Sequence, residues 1–369
     1  MLTSGKRRIA LVTAAAALLA GAAVASVRWQ GHEAEASVHH QVGVAEYRLG
    51  DSAFTDRPDW PGTSELTAVV HYPKGLRGRA PLIVQLHGQQ YACATDEDTG
   101  WPCPPGVQPV PSYRGYDYLG EALAGRGFVV VSLSANGINA GVGTAPQRAR
   151  LINRHLAMWQ RLSANGDGPL AGKFRNPDTG AKDPVDFHGR VDLSRVGTMG
   201  HSVAGQGVMW QASDKHRGDW PAGVTVRAVA AVASVYFEET PGDVLVTKIP
   251  FTVLGATCWR GGEEYYERVR GLNQVPVYTA SVQAGNHNFF NTVWSPSSGE
   301  FGSSDDSDCP EDPNRPNEES QRAFAVAYLT AYYERTLRDD RRYEDMLTGA
   351  RPFEVSGVSA KIEHQPAVR

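Results

Sequence analysis

The run Val196-Gly197-Thr198-Met199-Gly200-His201-Ser202-Val203-Ala204-Gly205-Gln206-Gly207 passes from a strand-like segment into a string of small residues, with one serine at the junction. Apolar residues over 193–199 suit a buried strand, and the small residues after Ser202 suit a closely packed helix. Between them, Gly200-x-Ser202-x-Ala204 has the pattern of a sharp strand-to-helix elbow, with alanine where a second glycine is usual. Such a turn strains the serine backbone and crowds the positions two residues to either side. Glycine fits there, and alanine is the next smallest choice. The serine hydroxyl is then presented at the carboxyl end of the strand. The backbone N–H of Val203, at the helix start, can face a developing oxyanion. Ser202 is therefore the candidate nucleophile.

Working outward from the elbow, short apolar runs alternate with helix-like stretches. Strand candidates lie at 66–72, 81–86 and 128–133 before it, and at 224–235, 249–254 and 275–282 after it. Helix candidates lie at 116–126, 145–164, 263–270 and 318–337. In the second of these, Leu151, Ile152, His155, Leu156 and Trp159 recur at helical spacing. This alternation predicts an α/β fold with a mostly parallel central sheet flanked by helices. Only one such series is present, so a single catalytic domain is expected over 38–345, followed by a C-terminal tail at 346–369.

Composition agrees with an ordinary folded protein: 369 residues, 41% hydrophobic and 21% charged. Wholesale disorder and a coiled coil are excluded. The net charge of −4 offers no basic excess to grip a phosphate backbone, so nucleic acid is not an expected partner.

Lys6, Arg7 and Arg8 precede an apolar, alanine-rich run at 9–27, and Ala23-Val24-Ala25 places small residues where a signal peptidase inspects them. Residues 1–25 read as an export signal cleaved before Ser26, which makes the expected location secreted or extracellular. The alternative is a retained N-terminal anchor on the outer face of the cytoplasmic membrane. Export gives meaning to the four cysteines, Cys93, Cys103, Cys258 and Cys309. Four allow three pairings. Cys93 and Cys103 flank a short loop and are expected to pair locally, which leaves Cys258 with Cys309. No C-x-x-C spacing suggests zinc.

The chain resembles the α/β-hydrolase superfamily, in particular secreted bacterial serine esterases similar to polyester hydrolases and chlorophyllase-type esterases. The resemblance rests on Leu86-His87-Gly88, Gly115-Tyr116-Asp117-Tyr118-Leu119, Gly127-Phe128-Val129-Val130, the Ser202 elbow and Gly285-Asn286-His287. It departs from the usual pattern at Ala204 and at the triad acid. The resemblance implies that the residue after His87-Gly88 supplies a second oxyanion donor, the backbone N–H of Gln89. The Gln89 side chain could donate as well.

A serine hydroxyl needs a base at neutral pH. Chain order in this fold is serine, acid, histidine, and only His216, His287 and His364 follow Ser202. His287 lies in Gly285-Asn286-His287-Asn288-Phe289-Phe290, directly after the strand candidate at 275–282, and is the expected base. His201 is expected to pack beside the elbow. The acid should follow the strand at 249–254. No aspartate occurs there, and Glu263 is the first carboxylate, with Glu264, Glu238 and Glu239 as alternatives. Acidic residues also favour the first turn of any helix.

Asp305, Asp306 and Asp308 match no EF-hand spacing and read as a solvated acidic loop, although their density could suit calcium. Trp101, Tyr113, Trp259 and Trp294 are expected to border the cleft. The resulting expectation is a serine hydrolase that cleaves a small or polymeric carboxylic ester through an acyl-enzyme, with no metal or organic cofactor. An amidase or peptidase would use the same triad. A catalytically inactive binding protein on the same fold is the alternative from another class.

Overall fold

The computed structural model describes residues 39–95, 100–238, 240–259, 261–299, 301–303, 309 and 312–368. The proposed export signal at 1–25, Glu239, Asp305, Asp306 and Asp308 lie outside the described residues.

Nine strands form one sheet: β1 (Val42–Arg48), β4 (Thr67–Pro73), β5 (Ala80–Leu86), β6 (Val129–Leu133), β7 (Val191–His201), β8 (Val226–Val232), β9 (Phe251–Ala256), β10 (Val277–Val282) and β11 (Ala360–Gln365). Two shorter strands, β2 (Phe54–Asp56) and β3 (Trp60–Ser64), pair as a separate antiparallel ribbon. The spatial order of the large sheet is β1-β4-β6-β5-β7-β8-β9-β10-β11. All pairings from β6 through β10 are parallel, whereas β1, β4 and β11 join antiparallel at the two ends. This is the mostly parallel α/β sheet expected from the alternation of elements.

Burial explains the sequence pattern. Every residue of β4, β5, β6 and β9 is buried, because helices cover both faces. One face is covered by α3 (Ala145–Asn165) and α4 (Val203–Ala212), which lay Leu151, Ile152, Leu156, Trp159, Val208 and Met209 on the sheet. The other is covered by α1 (Asp117–Gly125) and α6 (Glu318–Arg338), with Leu119, Leu123, Phe324, Tyr328, Tyr332 and Tyr333. Shorter helices are α2 (Asn136–Ala140), α5 (Glu263–Arg268) and α7 (Glu344–Leu347).

The segment 346–369, expected as a tail, instead supplies β11, which pairs with β10 from Val277↔Gln365 to Val282↔Ala360. Its alternating polar sequence Ala360-Lys361-Ile362-Glu363-His364-Gln365 suits an exposed edge strand and carries no core-like signal. No helix among the described residues is long and apolar enough to cross a membrane. Both expected disulfides are present, Cys93–Cys103 and Cys258–Cys309. In the chain-entropy account they stabilise by about 3 and about 4 kcal/mol respectively.

Candidate active site

The chain leaves β5 for β6 on one side and later returns to place β7 on the other side of β5. The connection order therefore reverses between β5 and β7. In open parallel sheets, ligands bind beyond the carboxyl ends of the strands at such a point. The turn after β5 carries His87-Gly88-Gln89, and the turn after β7 carries Ser202.

Ser202 has φ +59° and ψ −131°, a positive φ that a residue with a side chain rarely adopts. Backbone strain of this kind costs about 1–3 kcal/mol and persists only where the surroundings enforce it. Here Ser202 N–H donates to Val232 O at 2.9 Å, and its carbonyl accepts from Gly205 N–H at 2.9 Å and Ser234 Oγ at 3.2 Å. The small flanking residues are needed: a Cβ on Gly200 would lie 2.0 Å from the Ala204 carbonyl oxygen. Val203 is the first residue of α4, so its N–H has no intrahelical acceptor.

The turn after β5 approaches the serine closely. A Cβ on Gly88 would sit 2.5 Å from Ser202 Cβ, which explains the glycine. His87 is fully buried and reads as neutral, its pKa pushed down to about 3 by burial. Ala135 N–H donates to His87 Nε2 at 2.8 Å, so the proton is on Nδ1, which donates to Gly88 O at 2.9 Å. Gly88 O accepts a second hydrogen bond, from Asn139 Nδ2, at 2.9 Å. The Gln89 side chain is engaged away from the serine, with Nε2 3.3 Å from Asn139 O and Oε1 3.4 Å from Arg148 Nη2. Of the two donors expected at Gln89, the side chain is thus committed to other partners.

His287 is buried beside the elbow. It is held there by His201, whose Nε2 donates to the His287 carbonyl at 3.1 Å. A carbonyl can only accept, so His201 Nδ1 is unprotonated and accepts from Tyr116 Oη at 2.9 Å. Burial drives the His201 pKa well below the usual imidazole range, which keeps this tautomer neutral. The rings form a stack: Trp259 lies 4.1 Å from His287, His287 lies 4.7 Å from His201, and His201 lies 4.9 Å from Trp294. No hydrogen bond joins Ser202 Oγ to His287 Nε2; the two residues are brought together through His201.

Among the described residues, Asn288 Oδ1 lies 2.9 Å from His287 Nδ1. Asn288 Nδ2 donates to Ser303 O at 2.9 Å, which fixes the amide so that its oxygen faces the imidazole. His287 therefore carries its proton on Nδ1 and presents Nε2 as the acceptor, the tautomer a general base needs. Asn288 is not among the residues expected at the site; its one signal in the sequence is its place next to the histidine.

Of the carboxylates expected as the acid, Glu263, Glu264 and Glu238 are among the described residues. Glu263 starts α5 and its Oε2 accepts from Gly261 N–H at 3.1 Å, with its pKa raised by burial. No hydrogen bond links it to His287 among the described residues. Glu264 is exposed on the same helix. Glu238 pairs with Arg268 at 2.7 Å and accepts from Tyr236 Oη at 2.9 Å.

Of the expected cleft aromatics, Trp294 and Tyr113 are buried, and Trp294 Nε1 donates to Ser112 Oγ at 3.0 Å. Trp101 Nε1 donates to Asp51 O at 2.6 Å, beside α2. The exposed aromatics are instead Tyr91 and Phe237, on the loops after β5 and β8 that flank β7. Compared with known proteins, the sequence matches no family model and no curated protein.

Proposed function

We propose that this protein is a serine hydrolase of the α/β-hydrolase kind that cleaves carboxylic esters by acyl transfer. The observation that carries the reading is Ser202 at positive φ on the β7-to-α4 turn, at the point where the sheet's connection order reverses. A strained serine there has no structural purpose that alanine or glycine would not serve better.

In the proposed reaction His287 Nε2 takes the Ser202 proton as Oγ attacks the ester carbonyl. The oxyanion is held by the N–H groups of Val203 and Gln89. The protonated imidazole then gives its proton to the leaving alcohol, and water attacks the acyl-enzyme by the reverse route. Asn288 keeps His287 in the working tautomer without contributing a charge. Glu263 is the candidate triad acid, with Glu264, Glu238 and Glu239 as alternatives. Exposed Tyr91 and Phe237 suit an ester with an apolar acyl or alcohol group. No step calls for a metal or organic cofactor. Export to the cell exterior is part of the same proposal, and the two disulfides support it.

The test is turnover of short p-nitrophenyl esters by Ser202→Ala. Loss of at least about a thousandfold in kcat is expected, and wild-type-like turnover would overturn the assignment.

A further inference from the structure

Arg148, in the second turn of α3, is only 2% exposed. Its Nη2 donates to Asn139 Oδ1 at 2.8 Å and makes a longer contact of 3.4 Å with Gln89 Oε1. Among the described residues Nη1 has no hydrogen-bond partner, and burial is the influence acting on its charge, with no carboxylate there to offset it. That burial pulls its pKa down to about 10, so it remains a cation at neutral pH. A buried charge without a counter-ion is costly. A place near a helix N-terminus adds an unfavourable dipole. A neutral side chain of similar length would fill the space more cheaply.

The surroundings show what the guanidinium touches. Gly207 of α4 gives it room, since a Cβ there would lie 2.7 Å from Arg148 Cβ. Arg148 thus sits between the nucleophile helix α4, the short helix α2 and the turn after β5. Its charge is also one of the influences that keep His87 neutral.

Arg148 can only donate, so it fixes Asn139 with Oδ1 toward itself and Nδ2 toward the turn. Asn139 Nδ2 then donates to Gly88 O at 2.9 Å, with a longer contact of 3.4 Å to Gln90 O. The Gly88–Gln89 peptide is trans. In a planar trans peptide the N–H leaves on the side opposite the carbonyl. Whatever holds Gly88 O therefore also sets the direction of the Gln89 N–H.

We propose that Arg148 is a positioning residue of the oxyanion hole: through Asn139 it sets the Gly88–Gln89 peptide, and its unpaired charge favours the anionic tetrahedral state. The inference rests on the serine hydrolase reading.

The experiment compares wild type with Arg148→Met, Arg148→Lys and Asn139→Leu. It measures kcat and KM on p-nitrophenyl acetate, inhibition by phenylboronic acid, which forms a tetrahedral anion on a reactive serine, and thermal unfolding. Arg148→Met is expected to lose about a hundredfold in kcat with KM within about threefold, in line with the loss of one oxyanion donor. Boronate affinity should fall by a comparable factor. Arg148→Lys, which keeps the charge but not the fork, should recover part of the loss. Asn139→Leu, which leaves the charge in place, should show part of the Arg148→Met loss, and the double variant should add little to Arg148→Met, as expected for residues acting in one chain. Should Arg148→Met fail to fold, Asn139→Leu and Arg148→Lys carry the same comparison. The proposal is overturned if the folded variants keep wild-type kcat and boronate affinity, or if only KM changes. If wild-type Ser202 never reacts with ester or boronate, the hydrolase reading itself falls and takes this proposal with it.

Discussion

His201 Nε2 donates to the backbone carbonyl of His287 at 3.1 Å, so the residue preceding the proposed nucleophile holds the loop that carries the proposed base. This bond converts an adjacency in sequence at the elbow into a fixed placement of a histidine 86 residues beyond His201. His201→Phe keeps a ring against Trp294 but removes the donor and takes away the acceptor of the Tyr116 hydroxyl proton. A loss of about ten- to a hundredfold in kcat is expected, along with about 1–3 kcal/mol of stability from the lost acceptor. Kinetics and denaturant unfolding of the same variant check both. Activity within twofold of wild type would mean that the latch is dispensable.

Asn288 and Glu263 make opposite claims on His287. Asn288 Oδ1 touches Nδ1, whereas Glu263 is turned to Gly261. Asn288→Ala should lower kcat by about a hundredfold through loss of the working tautomer, and Asn288→Asp should recover most of it. Glu263→Gln should cost less than about fivefold. If Glu263→Gln instead falls to the level of Ser202→Ala, the acid expected from the sequence is the operative one. If neither variant matters, the stretch 304–308 is next to be exchanged. Its flanks are tied beside the histidine loop, through Ser303 to Asn288 and through Cys309 to Cys258.

Stability should fall on acidification. Burial holds His71 at about 4 and His87 and His155 at about 3, and also holds His201 well below the usual imidazole range. Each stays neutral in the fold yet would protonate near pH 6.5 in the unfolded chain. Their contribution is complete above that value and is lost as pH falls through it toward the folded pKa. Asp117 acts in the opposite direction: burial raises it to about 6, so the native state gains a proton there before the unfolded chain does. The histidines outnumber it, and unfolding at pH 5 should take up roughly two to three protons. Calorimetric Tm from pH 7 to pH 5 in buffers of different ionisation enthalpy measures this. A flat Tm with no proton uptake would show that these imidazoles are not buried as described.

The elbow, the parallel strands and the two long helices were legible because their signals are local. Apolar runs mark strands covered on both faces, and Gly200 and Ala204 mark a turn that admits nothing larger. His287 was legible by chain order. The parts that tertiary contact creates were not. Edge strand β11 is polar along its length, so its pairing with β10 leaves no apolar signature. Arg148 sits among the apolar residues of an amphipathic helix, where nothing in the sequence distinguishes a buried arginine from an exposed one. The contacts of Asn139 and Asn288 depend on the direction of an amide, which Arg148 and Ser303 set from outside the residues' own turn and which no pattern in the sequence marks.

The central claim is that Ser202 is an activated nucleophile. Incubation of the full-length protein with a fluorophosphonate probe, followed by peptide mapping, tests it most directly. One adduct per chain on the peptide containing Ser202 is expected, absent after Ser202→Ala and slowed in His287→Ala. A protein that remains unlabelled, or that carries the adduct on another residue, would contradict the account.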